Sequence, residues 1–517
     1  MFESDKSRSG AYASFLMGDD LNEGYAVDDL DGFLKHVYMY YRGRGIACIL
    51  LRMLTNILTF AFILWVIVFL SVFVDYDVLL AAEADDQTNF WSDVVRAPAE
   101  VHPAFLVFIC FFALLWLWYV TQCMWQIRRL NELRNFYKRH LRVSDADLEH
   151  IEWHHVLRRL LRVPRLCRMN AEWTELDAVS RIMRQDNYFI ALVGNNILSL
   201  QLPLVDRLCP TVQFTRDPAV FLSRPLEWAV RFVLQGCLYT DRNELRGSVL
   251  RAHREPAALD EVEGRLTRRF KAVGLVSLVL SPFLLVFVAL VAILKYGESV
   301  RNDPSSVTAR VWTRSAQWRF RAFNELPHQL DERLRRARGP AEYYLAMFHN
   351  RAAVIVANFV AFVAGGCIVV IFFLGFVSDK IFTDVMFAPD KSGLWAVGVL
   401  GLIVATARSF VTKEPDIYEP TAALARVGEH VTLPDAWVAN ADSLWTLTEI
   451  KELFPSKLTV IALEILGVLT TPLILYFSLP SSARRIALFF SQYTAYADGV
   501  GHVCSHSYYH YDDPGDG

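Results

Sequence analysis

What the chain lacks narrows the field first. No G-x-x-x-x-G-K-[ST] segment occurs, so a phosphate-cradling loop that could couple nucleotide hydrolysis to work is missing. G-x-S-x-G and H-E-x-x-H are absent too, which removes the serine-hydrolase elbow and the zinc-protease helix. The eight cysteines form no C-x-x-C pair and no zinc-ligand spacing. Cys110, Cys123 and Cys367 lie inside apolar runs, where a thiol behaves as a small hydrophobe, so disulfides are not expected. Formal net charge is −3, which provides no global basic field to hold nucleic acid. The opening residues MFESDKSRSGAYASF mix charged and polar side chains without a signal peptide's basic and apolar regions, so the first apolar helix must act as the insertion signal. No internal repeat is visible. On these grounds neither an enzyme nor a cofactor is expected.

What is present is apolar sequence in blocks. The chain has 517 residues, 54% of them hydrophobic, close to the ~50% of a soluble protein, so the average decides nothing. The arrangement decides it. Six runs, 53–74, 103–125, 272–294, 352–378, 392–407 and 458–479, are almost free of charge, and most reach the ~20 residues a bilayer crossing needs. The chain therefore reads as a polytopic membrane protein. The polar segments between runs show helical periodicity, as in DADLEHIEWHHVLRRLLRV with Ser144 and Asp147 spaced as a capping box. SRPLEWAVRFVLQGCLY (223–239) reads as a helix opening on a proline and lying at the membrane interface. Few strand patterns occur, so the expected fold is all-α.

Charge orients the spans. The loop 75–102 has seven acids and a single base, Arg96, whereas the stretch after the second run is dense in arginine. The positive-inside rule then places 75–102 in the lumen and both 1–52 and 127–271 in the cytosol. If 272–294 crossed, 295–351 would be lumenal despite eleven Lys/Arg against six Asp/Glu. Proline alone would not decide, because transmembrane helices tolerate it. Pro282 and the charge together predict a re-entrant helical hairpin over 272–294, and Pro472 and Pro480 predict a second over 458–479. Runs 53–126 and 352–411 would then hold four spanning helices, with a second lumenal loop at 379–391. The segment 412–457 and the tail 480–517 would be cytosolic, as would both termini.

Polar groups at membrane depth are the candidate functional residues, because a charge at the bilayer centre costs about 2.5 to more than 10 kcal/mol and is seldom left facing lipid. Arg408 ends the fifth run; Asn358 and Glu464 lie within the fourth and sixth; Glu298, Arg301 and Asp303 follow Pro282 in YGESVRND. Together they suit a hydrated path for lipid headgroups. Arg301 and Arg408 would attract phosphate, and Glu298 and Asp303 the amine. A bland reading stands beside each: snorkelling for Arg408, a hydrogen-bonded neutral carboxyl for Glu464. The basic run Arg128, Arg129, Arg134, Lys138, Arg139 and Arg142 could grip anionic headgroups, at about 1 kcal/mol per charge, or simply orient the span. His502, His506 and His510, with Cys504, would share a helical face, but the surrounding tyrosines and DDPGDG favour a disordered tail over a metal site.

Several segments carry a resemblance. DLDGFLKHVYMYYRGRG (29–45), VDYDVL (74–79), RIMRQDNYFIAL (181–192), PLEWAVRFVL (225–234), RAFNELPHQLDERL (321–334), LPDAWVANA (433–441) and GHVC (501–504) resemble, in order, the core of the autophagy-related protein nine family. The resemblance implies a domain-swapped homotrimer with four spanning and two partly embedded helices per subunit. It implies movement of phospholipids between leaflets without ATP, and exchange of lipid with a bridge-like transfer protein at the growing autophagosome. It also implies residence in autophagosome precursor membranes, Golgi-derived vesicles and endosomes. The family's long disordered tails have short counterparts here, before residue 53 and after residue 479, so regulation through tails is not expected to carry over. Two other classes remain open: a scaffold recruiting partners to vesicles, and an ion channel, for which no selectivity-filter pattern is present.

Overall fold

The computed structural model describes residues 29–74, 103–163, 173–201, 222–302, 309–348, 351–377, 386–388, 391–409 and 417–508. Asp29 accepts the Gly32 amide at 2.9 Å and opens α1 (Leu30–Arg42), which buries Phe33, Leu34, Val37, Tyr38 and Tyr40. A turn through Gly45, at φ 85°, leads into the apolar α2 (Ile46–Val68), extended by a π-turn over Phe69–Phe73. The antiparallel partner of α2 is α3 (Pro103–Phe136), which leaves the apolar run and continues into the polar body. Next come α4 (Trp153–Leu161), α5 (Glu175–Gly194, opened by a Thr174–Asp177 capping box), α6 (Arg224–Leu238, capped by Ser223) and α7 (Gly247–Arg251). The Ser144–Asp147 pair forms the reciprocal bonds its spacing predicts, but it starts only a 3-10 turn; α4 begins afresh at Trp153.

The 47-residue α8 (Pro256–Asn302) follows, then α9 (Arg314–Arg319), α10 (Pro327–Ala346) and α11 (Arg351–Val377). A small antiparallel pair, β1 (Met386–Ala388) and β2 (Lys391–Ser392), joins α11 to α12 (Gly393–Ser409). Then come α13 (Pro420–Gly428), α14 (Asp435–Ala439), α15 (Leu444–Leu453), α16 (Lys457–Leu473) and α17 (Ala483–Gln492). The chain ends in a hairpin of β3 (Thr494–Ala497) and β4 (Gly501–Cys504). The fold is thus mostly helical with two small β pairs, where an all-α fold was expected. The 494–504 segment is ordered, which corrects the expected disordered tail: His506 stacks on Tyr493 at 4.9 Å, and His502 faces Tyr496. His510 lies outside the described residues.

Among the described residues, five helices are long and apolar enough to cross a membrane, α8 and α16–α17 among them; α12 is shorter. Neither expected hairpin forms. α8 continues through Pro282 as one helix, and the carbonyl that proline leaves unbonded, Leu278, accepts the Ser281 hydroxyl at 2.8 Å. Serine satisfying a backbone group freed by proline is a known accommodation in apolar helices. The sixth run also does not turn back; after Pro472 it passes through a π-turn (Ile474–Ser478) and a 3-10 turn (Leu479–Ser482) into α17. The two segments pair antiparallel instead. Lys457 sits 5.0 Å from the Tyr296 ring at one end, and Lys271 6.0 Å from Tyr476 toward the other. Glycine permits the closeness: a Cβ on Gly274 would lie 3.1 Å from the Tyr476 amide nitrogen. The π-turn after Pro472 therefore rests directly on α8.

Three apolar cores carry the polar body. The first joins α5, α6, the start of α8 and α17. The second joins α1, the end of α3, α4 and the start of α5, and the third joins α10, α13 and α15. The stretch from α9 to α10 ties them together, with Ala316 in the third core, Trp318 in the first and Leu326 in the second.

Candidate functional site

The polar positions singled out at membrane depth do not gather into one described site. Arg408 is exposed in the last turn of α12, and Asn358 is exposed near the start of α11. Because β1–β2 joins these helices as a hairpin, the two residues lie toward the same end of the pair. Glu298 and Arg301 fall on the last two turns of α8, and Asp303 lies outside the described residues. Glu464 is engaged by a neighbouring helix. Its carboxylate accepts the Arg224 backbone amide at 3.0 Å and lies 3.8 Å from the Arg224 guanidinium, anchoring α16 to the first turn of α6. An anion there also meets the positive end of the helix dipole. Of the basic run, Arg134 pairs with Asp145 at 3.0 Å, Arg129 is half-buried, and Arg128, Lys138, Arg139 and Arg142 are exposed.

A different group of side chains does converge. Between α1, α5, α6 and the start of α9 lies a cavity of about 680 Å³, whose walls carry Lys35, Arg224, Arg231, Arg314, Glu227 and Gln185 together with Phe189, Trp228 and Phe232. The apolar face of α6 explains the geometry: Leu226, Ala229, Val230, Val233 and Leu234 are buried in the first core, which turns Glu227, Trp228 and Arg231 away from it. Arg231 is the hub. It pairs with Asp186, lies 3.5 Å from Glu227, and sits over the rings of Trp318 and Phe189 at 5.3 and 5.7 Å. Arg321 reaches Asp186 at 3.3 Å, and Arg314 reaches Glu227 at 3.7 Å.

Lys35 is the exception in this network, since no carboxylate among the described residues comes within ion-pairing distance of its ammonium. Burial pushes its pKa below the ordinary lysine value; Asp186 opposes the shift, and Arg231 and Arg321 add to it. At the mouth, Trp228 is 67% exposed and stacks on Phe232 at 5.4 Å. At the inner wall the Tyr239 hydroxyl is buried without a hydrogen-bond partner, as is Arg314 Nε. The signals existed in the sequence, as Lys35 among the apolar residues of the first helix and Glu227 and Arg231 four apart beside Trp228. Both stretches supported the resemblance, but their charges were not singled out.

The model of the family described as Autophagy protein ATG9 matches residues 23–510. The chain belongs to the ATG9 family. It is 32% identical over 480 residues to autophagy-related protein 9 of Dictyostelium discoideum, covering 93% of this chain and 66% of that protein. It is 33% identical over 505 residues to autophagy-related protein 9 of Mycosarcoma maydis, covering 93% and 62%. The chain thus spans between half and two thirds of the length of such curated relatives. The cryo-EM structure of Schizosaccharomyces pombe Atg9 superposes with a TM-score of 0.68 at 26% identity, covering 93% of this chain and 99% of that one.

The segments that carried the ATG9 resemblance meet in space. Asp31 of α1 lies 3.1 Å from Arg181 and 3.0 Å from Arg184 of α5. Arg181 donates to the Gly499 carbonyl at 2.6 Å and Arg184 donates to that of Val500, so both grip the turn before β4. Asn324 accepts from Asn187 at 2.8 Å and donates to the Ser507 carbonyl at 2.8 Å. Four separated stretches thus form one buried clasp behind the cavity.

Proposed function

We propose that this ATG9-family chain is an ATP-independent phospholipid scramblase of autophagosome membrane formation, acting as a homotrimer with a bridge-like lipid-transfer protein. The observation that carries the reading is the joining of apolar, membrane-length helices to a cation-lined cavity through the α6–α16 contact. A zwitterionic headgroup meets a steep barrier in hydrocarbon, and each ~1.4 kcal/mol removed by a hydrated polar route speeds crossing tenfold. Arg408 and Arg301 attract the phosphate, Glu298 and Asp303 engage the amine, and Asn358 offers a neutral hydrogen-bonding step. The exposed bases Arg128, Lys138, Arg139 and Arg142 hold anionic lipid at the cytosolic face. The chain transports rather than catalyses, and it works in Golgi-derived vesicles, endosomes and the precursor membrane with both termini cytosolic.

The test is exposure of labelled phospholipid in liposomes reconstituted with the full chain. The R301L/D303L variant should slow flipping about 5- to 150-fold, equivalent to a barrier rise of about 1–3 kcal/mol. Unchanged flipping in a folded double variant removes these residues from the path. No flipping by the unaltered chain sinks the transport reading and leaves a scaffold that recruits autophagy partners without moving lipid.

A further inference from the structure

We propose that the cavity beneath α6 is a binding site for a phosphomonoester headgroup, such as that of phosphatidic acid. It deepens the lipid-handling reading and rests on that reading for the source of the ligand.

The charge balance supports an anion. Lys35, Arg224, Arg231, Arg314 and Arg321 converge on or just behind the cavity wall. They face three carboxylates, Asp186, Glu227 and Glu464, each already shared with an arginine. Glu325 also senses Arg321 but is held by Arg333 at 2.7 Å. Asp29 also acts on Lys35 while held by the Asn243 amide, so one to two positive charges are left over, and a phosphomonoester near neutral pH carries about −1.5 to −2. A phosphodiester with a choline or ethanolamine brings no net charge to match them. A half-buried ammonium without an anion is poorly solvated, and a bound phosphate would supply the missing partner.

Shape supports a lipid as its source. At the mouth, Trp228 with Phe232 and the exposed Met39 offer apolar surface where a glycerol and the first acyl carbons would emerge. Amphipathic aromatics occupy that level at membrane interfaces.

The experiment titrates the full chain in detergent with dioctanoyl phosphatidic acid, dioctanoyl phosphatidylcholine and glycerol 3-phosphate, followed by calorimetry. Lys35 makes no ion pair among the described residues, so K35M leaves the network intact, and K35Q is the second variant should K35M fold poorly. Phosphatidic acid should bind at least about tenfold tighter than phosphatidylcholine, and K35M should erase most of that preference. K35R should retain it, and K451M, at an exposed lysine of α15, should change nothing. Equal affinity for the two lipids overturns the proposal, as does a preference that survives K35M and K35Q. Glycerol 3-phosphate binding as tightly as the lipid keeps the phosphate site but overturns its lipid source. Flipping by the same preparation is measured separately, so a chain that binds phosphatidic acid without scrambling loses only the transport reading.

Discussion

Two residues four apart on α1 show how burial decides the meaning of a charge. Asp31 is paired with two arginines and belongs to the clasp, whereas Lys35 faces the cavity with no carboxylate among the described residues in ion-pairing distance. Tyr38, three residues after Lys35, accepts the His328 backbone amide at 3.3 Å and bonds His328 Nδ1 at 2.9 Å. With the amide on one lone pair, the hydroxyl proton is free to point at Nδ1, a bond that requires that nitrogen to be unprotonated. Burial, with help from Arg42 and Arg44 and against Asp331, pushes the His328 pKa below its ordinary value. His36 is depressed too, chiefly by burial and also by Arg129, although its bond to the Gly32 carbonyl opposes the shift. A depressed histidine means that the unfolded chain binds more protons than the folded one, so stability rises with pH. The contribution is complete above about pH 6.5 and is lost as pH falls through the lower folded-state values. Thermal unfolding followed from pH 7.5 to 5 should therefore show a falling midpoint, with a shallower fall in H328Q, whose amide oxygen can accept the tyrosine proton. A slope identical in H328Q would exclude His328 as its source.

Among the elements, α8 was the one whose sequence invited the wrong geometry. Proline in a helix interior typically costs ~3 kcal/mol and kinks the chain, and a re-entrant turn was the natural inference. Its neighbour answers for it: the buried Ser281 supplies the hydrogen bond that residue 282 cannot. S281A should therefore destabilise by about 1–3 kcal/mol, the cost of a buried carbonyl left unbonded. P282A restores the amide donor, so adding it to S281A should recover most of that loss. Denaturation of the four proteins of this cycle in detergent measures the coupling, and additive effects would show that the serine bond does not carry the helix through proline. The same scale explains Glu464. A carboxylate in an apolar run suggests a conduit, but Gly467, one turn further on, lets α16 approach so closely that a Cβ there would lie 2.5 Å from Ser223 Cβ. That approach brings Glu464 against the first turn of α6.

For the molecule as a whole, the tying of three cores by residues 316–326 bears on sidedness. The segment 309–348 packs into the body that contains the end of α3, α4 and α5, so it should share their side of the membrane. α8 leaves that body and also comes back to it: Phe283 and Phe287 meet Phe111, Phe112 and Phe60 on α2 and α3, and Tyr296 then meets Lys457 next to the 309–313 segment. In a background without reactive thiols, cysteines placed at the exposed Lys138 and Arg335 should label from one side only, and the same side. A cysteine in 75–102 should label from the other. Opposite labelling of Lys138 and Arg335 would mean that α8 crosses.

By itself the sequence determined the membrane class, the helical content, most of the apolar helices and the family. Each depends on hydrophobicity, periodicity or long ordered motifs, which are local properties. Only the tertiary structure decided that α8 stays one continuous helix and that Glu464 is a docking contact. It also ordered the C-terminal segment, because the clasp on Gly499 and Val500 comes from arginines more than 300 residues earlier. The cavity is of the same kind. Lys35, Arg231 and Arg314 look like ordinary solvated charges along the chain, and what makes them a site is the absence of a partner for one of them once the others are paired. Pairing is a property of distances in space, and no local pattern encodes it.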